Sequence, residues 1–309
     1  TSGALTGLTL SGGDAANYTT SGGSGSVTIA ARALTVTAAA SSKTYDGATT
    51  SSVVPTITAG TLVTGDTANF TQTFNNKNVG TSKTLTPAGT VNDGNSGNNH
   101  TVTFVSANTG TITAKGLTVS GITASNKVYD GTTAATLNTT GAVLVGKVGS
   151  DVVNLATGSA TGVFADAAAG TGKTVTISGL TISGGDSGNY TLTQPTTTAN
   201  ITAVTATVTL ASLMHTYDGT PKSATATTTP SGLTVDFTYD GGAVAPTETG
   251  AYTVVGTVSE SNYQGSATGT LYIVPAITSV TGPANGSYRA DQALNFTVNY
   301  SGAVTVNTT

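Results

Sequence analysis

Two histidines, His100 and His215, two glutamates, Glu248 and Glu260, and twelve aspartates are the residues with which this 309-residue chain could do acid–base or metal chemistry. A nucleophile–His–Asp relay or a His-based metal site needs such groups converging within one folded unit. Here the two histidines fall in different modules, and both glutamates sit in the shorter module that holds His215. Most aspartates adjoin glycine, where turn chemistry explains them. With no cysteine there is no thiol nucleophile, disulfide framework, zinc ribbon or iron–sulfur cluster. The glycine-rich stretch Ser21-Gly22-Gly23-Ser24-Gly25 lacks the lysine and helix of a phosphate loop. The chain is therefore expected not to be an enzyme and to need no cofactor.

Two weaker chemistries stay open. The loops Gly12-Gly13-Asp14-Ala15-Ala16-Asn17-Tyr18 and Gly184-Gly185-Asp186-Ser187-Gly188-Asn189-Tyr190 could offer calcium the oxygens of Asp14, Asp186 and Asn189. Each loop has one carboxylate, fewer than such a site generally needs. The alternative is a hairpin in which Asp caps its own backbone while Tyr18 or Tyr190 plugs the core. A degenerate third copy, Asp93 to Thr101, places His100 at the tyrosine's position, where packing is the expected role. Lys43 and Lys127 each lie two residues before a tyrosine and could enter a Lys–Asn cross-link. The other reading is lysines guarding strand edges. Sequons such as Asn189-Tyr190-Thr191 arise by chance in so threonine-rich a chain and imply no glycosylation.

The elements that must position these residues repeat. Tyr45-Asp46-Gly47, Tyr129-Asp130-Gly131 and Tyr217-Asp218-Gly219 recur at spacings of 84 and 88 residues, the size of a small domain. Asp-Gly suits tight turns that need positive φ, and a preceding tyrosine can bury its ring while its hydroxyl ties down a loop. Each trio is expected to fasten the first hairpin of a module. These landmarks divide the chain into the tail of a repeat (1–31), two full repeats (32–115 and 116–203), a shorter relative ending near Asn262-Tyr263 (204–275), and the opening of another module (276–309). Both ends then fall inside modules. That suits a window of a longer protein, or a subunit whose ends are completed by strand exchange with neighbours.

Charged residues are 8 % of the chain, against about a quarter in ordinary soluble domains, and threonine is roughly a fifth. With 37 % hydrophobic residues and a net charge of −4, the composition is that of a folding chain rather than a disordered one. Scattered single Lys and Arg leave no basic patch for nucleic acid. No apolar run has the length of a membrane helix. Stretches such as Ala33-Leu34-Thr35-Val36-Thr37 and Ala206-Thr207-Val208-Thr209-Leu210 alternate apolar residues with threonine, the period of half-buried strands. The expected fold class is all-β: tandem antiparallel β-sandwich (Ig-like) modules in an elongated array, with β-grasp-like modules as the alternative.

Residues 32–203 resemble the YDG-type repeats of large bacterial surface proteins, including filamentous-haemagglutinin-like adhesins. The resemblance rests on Lys43-Thr44-Tyr45-Asp46-Gly47, Lys127-Val128-Tyr129-Asp130-Gly131, Ser187-Gly188-Asn189-Tyr190-Thr191-Leu192 and Ala199-Asn200-Ile201-Thr202-Ala203. Residues 204–275 resemble the shorter MBG-type module, through Thr216-Tyr217-Asp218-Gly219-Thr220-Pro221, Gly250-Ala251-Tyr252 and Asn262-Tyr263. The resemblance implies an extracellular or cell-surface location and a role in adhesion or biofilm, and it supplies no ligand residues. Two functions follow as expectations. One is a structural stalk or filament segment, with like chains as partners through strand addition or end-to-end assembly. The other is a module that recognises a glycan or host protein through a sheet face or loop tips.

Overall fold

A computed structural model describes residues 2–4, 26–28 and 30–304. The expectations for Asp14, Tyr18 and most of the tail 1–31 fall outside the described residues. Among those described there is no α-helix. One 3-10 turn at Ser187–Asn189 interrupts a succession of strands. The chain is all-β, in sandwich-like modules, and the helix that a β-grasp would lay on its sheet is not among these elements.

Alternation in sequence becomes sidedness in the sheet. In strand Arg32–Thr37, Leu34 and Val36 are buried and the intervening residues are not, because successive side chains point to opposite faces. The first full repeat forms two sheets. A three-stranded sheet sets Arg32–Thr37 between Thr56–Ala59 and His100–Val105. A four-stranded sheet runs Ser41–Thr44, Ala107–Thr113, Gly80–Asn92, Thr67–Phe74. Leu34, Val36, Phe70 and Val91 pack between them.

Antiparallel pairing predominates, and the exception recurs in all three modules. The opening stretch of each module runs parallel to its closing stretch, in both sheets. In the first repeat Arg32–Thr37 pairs with His100–Val105, and Ser41–Thr44 with Gly110–Thr113. In the second, Lys115–Leu117 pairs with Tyr190–Leu192, and Lys127–Val128 with Ile201–Thr202. In the third, Val204–Thr205 pairs with Tyr263–Gln264, and Met214–Thr216 with Tyr272–Val274. The period-2 pattern is the same for either direction, so direction is settled by topology: parallel neighbours need a long connection, and the module supplies it.

The compact units are offset from the sequence repeats. One unit holds residues 1–121, 142–159 and 179–195; the other holds 122–141, 160–178 and 196–309. The division passes through the second repeat. Its first sheet, with Lys115–Ser120 at the centre, folds with the first repeat; its five-stranded second sheet folds with the third module. Hydrophobic burial shows why. One core in the first unit joins Ala38, Tyr45, Phe74, Leu85 and Ile112 of the first repeat to Leu117, Val153 and Tyr190 of the second. A sheet face left apolar at the end of one module is covered by the next, as in other repeat arrays.

Candidate interface at the module junctions

The three Tyr-Asp-Gly turns share one construction. Asp46 Oδ1 accepts the Ala48 N–H at 2.9 Å, Asp130 Oδ1 the Thr132 N–H at 2.8 Å, and Asp218 Oδ1 the Thr220 N–H at 2.9 Å. Each following glycine, Gly47, Gly131 and Gly219, has φ between +76° and +79°. Such a conformation costs an L-residue about 1–2 kcal/mol, which explains the glycine.

The turn does not close a hairpin, contrary to the sequence-based expectation. Ser41–Thr44 lies at one edge of its sheet. Just past the turn, Thr49 accepts the Phe74 N–H at 2.8 Å and Thr50 bridges Thr73 at the opposite edge. The chain crosses the end of the sheet because its edge strand is paired in parallel and cannot fold straight back.

The lysines before the tyrosines act within the turn. Lys43 Nζ donates to Asp46 Oδ1 at 2.8 Å and to the carbonyls of Ala48 and Thr50; Lys127 Nζ donates to Asp130 Oδ1 at 2.8 Å and to the Thr132 carbonyl. Lys127 and the Thr132 donors hold the Asp130 carboxyl down at about 2. In the third module His215 takes the lysine's position, with Nε2 2.8 Å from the Ser212 carbonyl oxygen. There Lys222, beyond the turn, binds Asp218 instead and lowers its pKa. The clamp is kept although its residue moves.

The rings of Tyr45 and Tyr129 each meet a tyrosine of the neighbouring module. Tyr45 is 1 % exposed and meets Tyr190 edge to face, with ring centroids 5.4 Å apart at 75°. Tyr129 meets Tyr263 in the same way, at 5.9 Å and 74°. Such pairs contribute about 0.5–1.5 kcal/mol beyond area burial. The asparagine before the receiving tyrosine also repeats its contact. Asn189 Oδ1 accepts the Val79 N–H at 2.9 Å, and Asn262 Oδ1 accepts the Ala169 N–H at 2.8 Å. Tyr217 packs against the third module's core, and no ring pair involves it among the described residues.

The first junction carries a further device. Asp151, buried, accepts a hydrogen bond at 2.7 Å from each of the Tyr45 and Tyr190 hydroxyls on one oxygen, Oδ2. Its Oδ1 lies 3.1 Å from Lys77 Nζ, which also reaches Asp186 Oδ1 at 3.2 Å. The two hydroxyl donors and Lys77 lower the Asp151 pKa against the opposing effect of burial. Burial and then the Asp151 carboxylate push the Tyr190 phenol up to about 12 and raise that of Tyr45. The Tyr45 hydroxyl and the two carboxylates hold the Lys77 ammonium above its ordinary range. Tyr190 oxygen also accepts the Val148 N–H at 2.9 Å. Every polar group in this buried cluster has a partner, the condition under which such networks fix one geometry.

Asp186 and Asn189, the sequence-level calcium candidates, spend their oxygens here. Asp186 Oδ2 accepts the Val152 N–H at 2.9 Å rather than capping its own backbone, and Asn189 holds Val79. Gly184, at φ +111°, brings this loop against Val152, whose carbonyl oxygen would lie 2.4 Å from any Cβ at that position. Among the described residues no three His, Asp or Glu side chains are grouped to hold a metal ion. No helix among them is long and apolar enough to cross a membrane. Glu260 Oε1 accepts the Thr234 N–H at 2.8 Å, a loop tie like that of Asp186. Sequence reasoning singled out Tyr45, Tyr190, Tyr129 and Tyr263 but missed Asp151 and Lys77. No recurring motif marked either; the structure shows that Asp66 and Asp151 occupy equivalent turns of the two repeats, each donating its N–H to the carbonyl three residues earlier.

Comparison with known families agrees with this architecture. The YDG domain model matches residues 30–110 and 113–199, and the MBG domain model matches residues 206–277. A comparison with curated protein sequences returns no match. With two YDG copies covering more than half its length, the chain belongs to the YDG-domain family and carries an MBG domain after them.

Proposed function

We propose that this chain is a non-enzymatic stalk or filament segment of a bacterial cell-surface or extracellular adhesin. Its work is to join modules end to end, with no cofactor taking part. One observation carries the reading: the same tyrosine pair and the same asparagine-to-backbone bond occur at two successive junctions, though the partner modules belong to different families. A contact reproduced in this way lets one rule extend a chain of modules indefinitely. The hydroxyl-rich surface, poor in charge, suits a spacer facing solvent.

Small-angle scattering on the chain tests the proposal. A row of modules should give a radius of gyration of about 40 Å or more, and a single globule about 19 Å. The smaller value would sink the stalk.

A second reading, recognition of a glycan or host protein, draws support from the last segment. Its strands Ile277–Thr281 and Thr297–Tyr300 are exposed throughout, and Phe296 and Tyr300 offer aromatic faces to solvent. Binding to a glycan panel that Phe296→Ser abolishes would favour this reading.

A further inference from the structure

The first YDG domain has, at its upstream end, the counterpart of the face that receives Tyr45 in the second. Asp66 stands where Asp151 stands, Asp93 corresponds to Asp186, Asn99 to Asn189 and His100 to Tyr190. The correspondence is structural as well as sequential. His100 and Tyr190 begin strands that pair in parallel with Arg32 and Lys115, the first residues of their modules' opening strands. Asp66 and Asp151 close equivalent turns on the carbonyls of Val63 and Val148.

Two features set this face apart from its copy. His100 is 7 % exposed, yet both of its ring nitrogens are buried without a hydrogen-bond partner. Its Nε2 lies 3.5 Å from Asp66 Oδ2 and its Nδ1 3.6 Å from Asp93 Oδ2. Both distances are too long for a good hydrogen bond, and in a neutral ring the unprotonated nitrogen, whichever it is, faces a carboxylate with no donor to satisfy it, an arrangement that native proteins rarely keep. In addition, Val63 is 48 % exposed, whereas Val148 packs into the junction core next to Gly47. An apolar side chain that the second repeat covers is bare in the first. Asp93 is already committed: burial pushes its carboxyl up, but the N–H groups of Asn95, Gly97 and Asn99 outweigh this and hold it at about 2. Asp66 is the carboxylate with capacity left.

We propose that this face, built from Asp66, His100 and Val63, is a docking site for the Tyr-Asp-Gly end of another YDG domain. The occupant follows from an interface the chain already makes twice, each time with a tyrosine of that trio inserted in the homologous face. The incoming hydroxyl donates to Asp66 and accepts from the His100 ring N–H, as Tyr45 donates to Asp151. Its ring and the glycine behind it cover Val63. The proposal rests on the module-joining reading and names the partner for one more junction.

The test is a chain in which a second copy of residues 115–203 is inserted between residues 31 and 32, so that a Tyr129 precedes the first YDG domain. The copy contains no histidine, so the ring signals of isotope-labelled His100 and His215 can be followed by NMR. The expected result is that the His100 signals shift and its ring N–H exchanges more slowly, while the His215 signals stay in place. Tyr129→Ala in the inserted copy should return the His100 signals to their original positions. Tyr129→Phe there should keep the shift and lose the slow exchange. His100 signals that do not move, or that move and stay displaced with Tyr129→Ala, would overturn the proposal. A compact scattering radius together with the His100 shift would remove the stalk and leave the docking site. A long radius without the shift would do the reverse.

Discussion

The two junctions are built on the same geometry and differ in what they bury. Both place a Tyr-Asp-Gly tyrosine edge-on against the tyrosine of an Asn-Tyr pair, and both hold a backbone N–H with the asparagine. Only the first adds the carboxylate Asp151 and its lysine. Where the first repeat has Lys77 in its Asn76-Lys77-Asn78 loop, the second has Ala167 in Asp166-Ala167-Ala168. Tyr45 is accordingly buried outright and Tyr129 only half-buried. The comparison teaches that ring packing and one amide bond suffice to define the junction, while the buried charge cluster sets how firmly it is held.

The largest expected difference comes from removing the tyrosines. Tyr45→Ala should destabilise the first unit by about 3–5 kcal/mol, the usual range for deleting a large buried aromatic. Tyr129→Ala should cost the second unit less, about 1–3 kcal/mol, because its ring starts half in water. Denaturant unfolding monitored by hydrogen exchange in each unit separates the two. Equal losses would mean that the charge cluster adds nothing to the packing.

Next in size is the response of the first junction to pH, which has two arms. Tyr190 has a folded pKa near 12 against an ordinary 10.0, so its contribution is complete below pH 10 and is lost as pH rises toward 12, on the order of 2 kcal/mol. Asp151 has a lowered folded pKa, so its contribution is complete above its ordinary value of 3.8 and is lost as pH falls through the folded one. Asp151→Asn should remove the acid arm and shrink the alkaline one, since the neighbouring carboxylate helps to keep the phenol protonated. A variant that retains both arms would show that the titration belongs elsewhere.

How much of this was legible in sequence depends on whether a residue's partner lay nearby in the chain. Alternation gave the strands, and the Asp-Gly pairs announced positive φ at Gly47, Gly131 and Gly219 from local chemistry alone. The tyrosines were marked by recurrence. Asp151 was not, because Gly149-Ser150-Asp151-Val152 reads as an ordinary turn; its importance comes from Tyr45, 106 residues earlier. The same holds for Lys77 and for the parallel pairing of opening and closing strands. Repetition also misled in one respect: cutting the chain at its motifs suggests self-contained modules, whereas Leu117, Val153 and Tyr190 complete a core begun by the preceding repeat. The boundary between the compact units falls inside the second repeat and not at its motifs.

That offset makes the turn glycines informative at a smaller scale. Gly47→Ala and Gly131→Ala should both meet the cost of a left-handed conformation, about 1–2 kcal/mol. At Gly47 the new methyl would also lie 2.9 Å from Val148 Cγ1 across the junction, whereas at Gly131 it meets nothing within 4 Å. The first substitution should therefore be the more damaging, by an amount that Val148→Ala recovers in the double variant. Equal effects that Val148→Ala leaves unchanged would show that the junction gives way to the methyl.

The smallest expected effects test what the junctions share. Asn189→Ala and Asn262→Ala each remove the acceptor of one backbone N–H, that of Val79 or Ala169. Each should cost about 1 kcal/mol. The two losses should agree despite the different surroundings, since the asparagine reaches across each junction to the equivalent loop. If Asn262→Ala proves much the more costly, the second junction depends on its amide bond where the first relies on Asp151. The asparagine would then be the lock of the uncharged junction, and the charge cluster a substitute for it rather than an addition.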